Sequence, residues 1–347
     1  MALKEIKCVV WDLDNTVWDG ILTEGDEVRL KPGIPQILQT LDERGILLSI
    51  ASKNSYDDAM SQLKAFGLDH YFLFPQIGWN AKSASIAAIQ RELNIGLDTF
   101  LFLDDQAFER DEVQSVHREV TVVDSAEYAD MLVWPRLNPR FITVDSSRRR
   151  EMYLHDQKRK AEEAEYEGPT SEFLAGLNME FMISVAREED LQRAAELTVR
   201  TNQLNSTGIP YGYDELKALM NSPKHRLWIC ELTDKYGSYG KIGLALVEFA
   251  EDAWVIRLLL MSCRTVARGV GSVLLAFLMK EAGADGKKLQ ADFRRTERNR
   301  SMLMTYQFAN FKEVKRVDDV ILFENDLTVI QDYPPYIRVR YFENIQQ

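Results

Sequence analysis

Several kinds of protein are set aside by what this 347-residue chain lacks. It has three cysteines, Cys8, Cys230 and Cys263, an odd number and too few for a disulfide framework in so long a chain. That usage, together with the lack of a signal-like N-terminus, points to a reducing, cytoplasmic setting. No apolar stretch approaches the roughly 20 residues that a membrane-spanning helix needs, so no membrane partner is expected. Positive charge is also short: 42 Lys and Arg stand against 54 Asp and Glu, a formal net charge of −12. Nucleic-acid binding would need a basic face, so no nucleic-acid partner is expected either. An acidic chain that handles an anion must concentrate its positive charge locally.

Core material, by contrast, is plentiful, with 46% hydrophobic residues. At roughly 100 to 200 residues per domain, the length suggests two domains. The most informative stretch is Asp12-Leu13-Asp14-Asn15-Thr16, at the exit of the apolar run Ile6-Lys7-Cys8-Val9-Val10-Trp11. A β-branched run ending in two acids one residue apart puts both carboxylates at the carboxyl end of a strand, where open α/β sheets bind ligands. Strand alternation lets Asp12 and Asp14 point the same way while Leu13 packs. Two acids that close repel unless a cation or a shared proton relieves them.

Three further stretches follow in order. Leu47-Leu48-Ser49-Ile50-Ala51-Ser52-Lys53-Asn54 is a second apolar run ending in a hydroxyl and an amide. Gly78-Trp79-Asn80-Ala81-Lys82-Ser83 sets a lysine at a helix start, and Phe100-Leu101-Phe102-Leu103-Asp104-Asp105 is a third buried run ending in paired acids. This order resembles the haloacid dehalogenase superfamily of phosphoryl-transfer enzymes. The resemblance implies Asp12 as the nucleophile on phosphorus, Asp14 as general acid and base, and Lys82 and Ser52, with Thr16 and Asn54 beside them, as phosphate holders. It also implies Mg²⁺ bound by Asp12, the backbone carbonyl of Asp14, and Asp104, with Asp105 a weaker ligand. The chemistry explains the residue types. A carboxylate cannot approach a negatively charged phosphoryl group unless a cation and Lys82 offset the repulsion, and Mg²⁺ prefers a few carboxylates plus water.

Residues 1–145 read as an α/β domain with a doubly wound parallel sheet. The crossover helices are predicted at Pro35–Arg44, Ser55–Phe66 and Ala81–Leu93, the first with apolar spacing Ile34, Ile37, Leu38, Leu41 and Gly45 as its stop. Glu119–Asp124 reads as a further strand. Residues 146–168 form a helical connector dense in Lys, Arg, Glu and Ala. Such a run is read either as a solvated bridge between domains or, through Arg148, Arg149 and Arg150, as a contact for a phosphorylated substrate or an acidic carrier.

Residues 169–347 have their own strands, at 227–232, 241–249 and 253–261. The last leads into Ser262-Cys263-Arg264-Thr265-Val266-Ala267-Arg268-Gly269-Val270-Gly271 and an apolar helix. This resembles the GNAT acetyltransferase fold, an α+β domain in which an Arg/Gly-rich loop at a helix start cradles the pyrophosphate of acetyl-CoA. Arg264, Arg268, Gly269 and Gly271 would then form an anion site. Val266 stands where that loop usually carries Arg or Gln, which weakens ordinary acetyl-CoA binding more than carrier binding.

The whole order, with Trp11–Thr16, Leu103–Arg110, the unusual Arg200-Thr201-Asn202-Gln203-Leu204-Asn205 and Ser262-Cys263-Arg264, resembles the FkbH-like proteins of polyketide biosynthesis. That resemblance implies that a three-carbon glyceryl unit from 1,3-bisphosphoglycerate is dephosphorylated and delivered as a thioester to an acyl carrier protein. Gln203 and Asn205 would be substrate-binding. A thioester route needs a thiolate, on the enzyme or on the carrier's phosphopantetheine arm. Cys8 lies roughly 13 Å from Asp12 at about 3.3 Å per residue, and it reads as core, as does Cys230. Cys263 ends a buried strand beside Arg264, Arg268 and a helix start, surroundings that lower a thiol pKa. It is the expected acyl-carrying or carrier-contacting residue. Two other readings stay open: a free-standing phosphatase acting on a small phosphorylated metabolite, and a carrier-binding module without chemistry.

Overall fold

A computed structural model describes residues 4–201, 203–262, 265 and 268–343. The chain divides into two compact units, Met1–Gln157 and Lys158–Gln347.

In the first unit, the apolar runs form strands β1 (Cys8–Trp11), β4 (Leu47–Ser52) and β6 (Phe100–Asp104), joined by the short β5 (Gln76–Ile77) and β7 (Thr121–Asp124). They pair in parallel in the order β5-β4-β1-β6-β7. Helices α1 (Ile34–Glu43), α2 (Tyr56–Ala65), α3 (Lys82–Leu93) and α4 (Ala107–Val116) make the crossovers. Each central strand buries both faces. Val9, Trp11, Leu48, Ile50, Leu101 and Leu103 join one core, while Cys8, Val10, Leu47, Ala51, Phe100 and Phe102 join another. Two covered faces are why these strands read as unbroken apolar runs. The chain leaves β1 through a two-stranded flap, β2 (Trp18–Asp19) against β3 (Arg29–Leu30). With β1 central, its carboxyl end is flanked by the ends of β4 and β6, so Asp12, Ser52 and Asp104 arrive at one edge of the sheet.

The expected connector is only partly a solvated bridge. After α5 (Val144–Ser147), the helix α6 (Arg149–Glu165) contains the boundary between the units. Its first half packs within the first unit: Arg150 bonds Asp42 through both Nε and Nη2 at 3.0 Å, buried Arg149 donates to Gly45 O, and Tyr153 Oη donates to Leu93 O at 2.9 Å. Arg149 and Arg150 are therefore spent on protein groups rather than offered to a substrate or carrier. The second half carries Arg159, fully buried in the second unit, with Nε 2.6 Å from Asp234 Oδ2 and its guanidinium 3.8 Å from the Tyr239 ring centroid.

The second unit is α+β. Strands β8 (Met179–Val185), β9 (His225–Asp234), β10 (Gly237–Phe249), β11 (Ala253–Met261), β12 (Lys288–Arg294), β13 (Lys312–Val317), β14 (Val320–Asn325) and β15 (Ile337–Phe342) form one sheet ordered β13-β14-β12-β11-β10-β9-β8-β15. Pairing is antiparallel except at β11/β12 and β8/β15. The apolar helix α10 (Val270–Ala284) packs in the main core together with α7 (Thr170–Gly176) and α11 (Arg300–Phe308). Helices α8 (Leu191–Arg200) and α9 (Tyr213–Met220) cover a separate core built on Leu227, Ile229, Leu244, Leu246, Leu258 and Leu260. Among the described residues, no helix is long and apolar enough to cross a membrane.

Candidate functional site

The carboxyl edge of the first sheet gathers charge out of solvent. Lys82, the first residue of α3, is 3% exposed. Its ammonium bonds Asp12 Oδ1, lies 2.9 Å from Asp104 Oδ2, and donates to Ala51 O at 2.7 Å. Burial by itself would lower the Lys82 pKa, but Asp12 and Asp104 outweigh it and hold the group above its ordinary value. One ammonium thus serves two carboxylates from two strands.

Carboxylate oxygens of Asp12, Asp104 and Asp105 lie within 4.8 Å of one another. Burial pushes the Asp104 carboxyl up to about 6, with the Asp12 charge adding to the shift and Lys82 opposing it. Asp105 is raised for the same two reasons, burial first and then Asp12. Its Oδ1 is buried without a hydrogen-bond partner. Three carboxylates against one ammonium leave uncompensated negative charge, and an orphaned buried oxygen costs about 1–3 kcal/mol or more. An all-oxygen donor set with that deficit fits Mg²⁺, which binds through one or two carboxylates and keeps several waters.

Asp14 stands apart from this trio. Its Oδ1 accepts from Trp18 Nε1 at 2.8 Å and from Leu22 N at 3.1 Å. Its Oδ2 accepts from Asn54 Nδ2 at 2.9 Å. Burial raises the Asp14 carboxyl, although the Trp18 and Leu22 bonds pull it back. The Asp14 carboxylate is turned to the flap, which leaves the backbone carbonyl through which it is expected to act as a ligand untouched, and Asp105, expected as the weaker ligand, brings a third carboxylate to Asp12 and Asp104. Asn54, expected to bind substrate, is buried; its Nδ2 orients Asp14, and its Oδ1 accepts from Ser55 N. Ser52 is buried at the end of β4. Thr16 is fully buried, with a hydroxyl that has no hydrogen-bond partner.

Sequence reasoning passed over the residues that brace this edge. Arg110 donates from Nη1 to Asp104 O at 2.7 Å and pairs with Asp124 Oδ2 at 2.7 Å. Glu112 accepts from Ser83 N at 3.0 Å and from its hydroxyl, fixing the start of α3 next to Lys82. Lys53 Nζ is 2.6 Å from Glu109 Oε1. Glu109 and Arg110 lay within a run already singled out; their charge next to Asp104-Asp105 was the available signal.

The second unit answers the remaining expectations. Asn205 is fully buried, and its amide is spent on the chain: Nδ2 donates to Thr201 O at 3.1 Å, and Oδ1 accepts from Thr207 N at 3.2 Å and Gly208 N at 2.9 Å. It holds a loop rather than facing a ligand. Arg268 is also buried, 3.1 Å from Glu163 Oε2 and 5.9 Å from the Phe173 ring centroid, so its charge is committed inside the unit. Gln203 is exposed. Gly269 takes φ 74° at the start of α10, where a Cβ would meet the Tyr336 hydroxyl at 2.8 Å. Gly269 and Gly271 line a cavity of about 450 Å³ with Leu204, Leu275, Met304 and Phe308. Cys263 and Arg264 lie outside the described residues. Cys8 and Cys230 are core residues, and burial raises both thiols.

Residues 15–109 match the haloacid dehalogenase-like hydrolase family. Magnesium-dependent phosphatase 1 of Homo sapiens is 29% identical over 119 residues, covering 29% of this chain and 68% of that protein. The N-terminal part of protein BF1531 from Bacteroides fragilis, solved with a phosphatase domain complexed with Mg, is 29% identical; the match covers 39% of this chain and 40% of that chain, with a TM-score of 0.32. The present chain thus spans well under two thirds of that structure. An N-acetyltransferase from Staphylococcus aureus Mu50 is 20% identical over 43% of this chain and 99% of its own, with a TM-score of 0.33. The N-terminal unit carries a haloacid dehalogenase-like hydrolase domain.

Proposed function

We propose that this protein is a Mg²⁺-dependent glyceryl transferase that removes phosphate from 1,3-bisphosphoglycerate and loads the glyceryl unit as a thioester onto an acyl carrier protein. The observation that supports it most is the buried Asp12–Lys82–Asp104 cluster, beside which Asp105 has an unpartnered oxygen. Asp12 is the nucleophile: its carboxylate attacks the 3-phosphate, the phosphorus–oxygen bond to C3 breaks, and the C3 oxygen takes a proton from Asp14. Asp14, held by Trp18 and Asn54, then accepts a proton from the water that releases phosphate from Asp12. Lys82 pairs with Asp12 and offsets phosphoryl charge. When bound, Mg²⁺ supplies Lewis-acid stabilisation of that charge, held by Asp12, Asp104 and Asp105.

The acyl phosphate at C1 carries the transfer half. A thiolate attacks the C1 carbonyl, the carbon–oxygen bond to phosphate breaks, and inorganic phosphate leaves. The thiolate is either the carrier's phosphopantetheine sulfur or Cys263, whose glyceryl thioester is then attacked by the carrier's sulfur with the Cys263 thiolate as leaving group. Incubation with Mg²⁺, 1,3-bisphosphoglycerate generated in situ and a holo carrier protein tests this. A carrier that gains a glyceryl mass supports transfer, and an unmodified carrier beside released phosphate contradicts it. That second outcome favours simple hydrolysis, the reading suggested by the relative named a magnesium-dependent phosphatase.

A further inference from the structure

Strands β11 and β12 run parallel but stay in register only from Ala253↔Lys288 to Ile256↔Ala291. Beyond that point β11 continues to Met261 and β12 to Arg294, and the two edges part. A gap of this kind exposes two rows of backbone donors and acceptors, to which an extended, amide-bearing ligand can pair as an added strand. The pantetheine arm of a thioester has that chemistry, and the GNAT-like reading of this unit implies such a ligand.

Here the chain fills the gap itself. Asn205 forms an antiparallel bridge with Leu260, in which Ser206 N donates to Leu259 O at 2.9 Å and Met261 N donates to Leu204 O at 2.8 Å. The Ser206 hydroxyl accepts from Leu259 N at 3.0 Å. On the other side, Arg294 N of β12 donates to Ser206 O at 2.9 Å, and Asn299 Nδ2 donates to Asn205 O at 3.0 Å and to Arg294 O at 2.9 Å. Asn205 and Ser206 are fully buried, and Leu204 nearly so. The β11 N–H groups at Leu259 and Met261, which would otherwise meet an arm's carbonyls, are already bonded. Displacing the segment would leave these buried groups and Asn205 without their present partners.

We propose that Leu204–Ser206 is a built-in strand that closes the β11/β12 gap to a pantetheine arm. The residues do not fit an arm threaded between the strands there, because neither the Leu259 nor the Met261 amide is left to polarise a thioester carbonyl. The choice of ligand rests on the carrier-handling half of the proposed function; the closure itself does not.

Hydrogen exchange of the full chain, read at single-amide resolution, tests the closure whether or not glyceryl transfer is observed. The protein is measured alone, with millimolar coenzyme A, with millimolar acetyl-CoA, and with a holo carrier protein. Protection of Ser206, Leu259, Met261 and Arg294 that is unchanged in every arm supports closure, including in an arm where α10 or α11 amides respond. A change of tenfold or more at Ser206, Leu259 or Met261 on adding any of the three overturns it. Asn299→Ala removes the clamp on Asn205 and is expected to speed Ser206 exchange about tenfold; exchange at the native rate in that variant would show that the clamp does not hold the strand.

Discussion

Lys82 Nζ lies 2.9 Å from Asp104 Oδ2 while also bonding Asp12, so one buried ammonium ties the central strand of the first sheet to its neighbour. Removing one partner of a buried ion pair typically costs about 3–5 kcal/mol, because the abandoned charge stays out of water. Lys82→Met is expected to lose stability on that scale in chelator, to regain part of it with Mg²⁺, and to lose at least about a hundredfold in phosphate release. Urea unfolding with and without Mg²⁺, alongside a phosphate assay, checks all three.

Asp104 sets a pH dependence. Its carboxyl sits near 6 in the folded chain against an ordinary 3.8, so between about pH 4 and 6 the folded state holds more protons than the unfolded one. The Asp104 contribution to metal-free stability therefore falls as pH rises through that window. Metal binding needs the carboxylate deprotonated and stabilises the folded state by mass action. The rise in melting temperature caused by Mg²⁺ is expected to be small below pH 5 and full above pH 7. A shift that is the same at both ends contradicts the assignment of Asp104 as a ligand.

Trp18 orients Asp14 through one N–H. Trp18→Phe keeps most of the buried ring and deletes that donor, and a hydrogen bond to a charged group is worth about 1.5–3 kcal/mol. Turnover is expected to fall about tenfold or more, with phosphorylated protein accumulating because the acyl-phosphate-like intermediate waits on Asp14 as base for the water, a step slowed more than its formation. Rapid-quench measurement of phosphoenzyme beside steady-state rates separates this from a general loss of fold, which would lower both together.

Of the two thiolates that can attack C1, Cys263 predicts a glyceryl adduct visible by intact-protein mass spectrometry, and the carrier's sulfur predicts none. Cys263→Ala is expected to abolish it, while Cys8→Ala and Cys230→Ala, which touch buried thiols, leave it in place. Adduct formation at the native rate in Cys263→Ala removes the assignment.

Much of the first unit was legible because its strands are buried on both faces and end in chemistry-bearing residues. Trp11-Asp12, Ser52 and Leu103-Asp104 each mark a strand exit, and Ile34, Ile37, Leu38 and Leu41 mark a helix face that is buried as expected. Partnership was less legible. Asn54 reads as a substrate contact, and only the meeting of the β1 and β4 exits shows its amide bonded to Asp14. Arg149 and Arg150 looked like a charged patch, yet their partners Gly45 and Asp42 lie more than a hundred residues away in sequence. Asn205 is the same case: its unusual sequence context was noticed, but its place between two diverging strands is a long-range fact that no local pattern contains.

The central claim is that Asp12 performs Mg²⁺-dependent phosphoryl transfer. Release of the C3 phosphate, followed as loss of a phosphomonoester that carries no acyl phosphate, by native protein and by Asp12→Asn, each with Mg²⁺ and with excess chelator, tests it most directly. Release by native protein with Mg²⁺ alone, with Asp12→Asn inactive, is the predicted result; release by Asp12→Asn in the presence of Mg²⁺ would contradict the account.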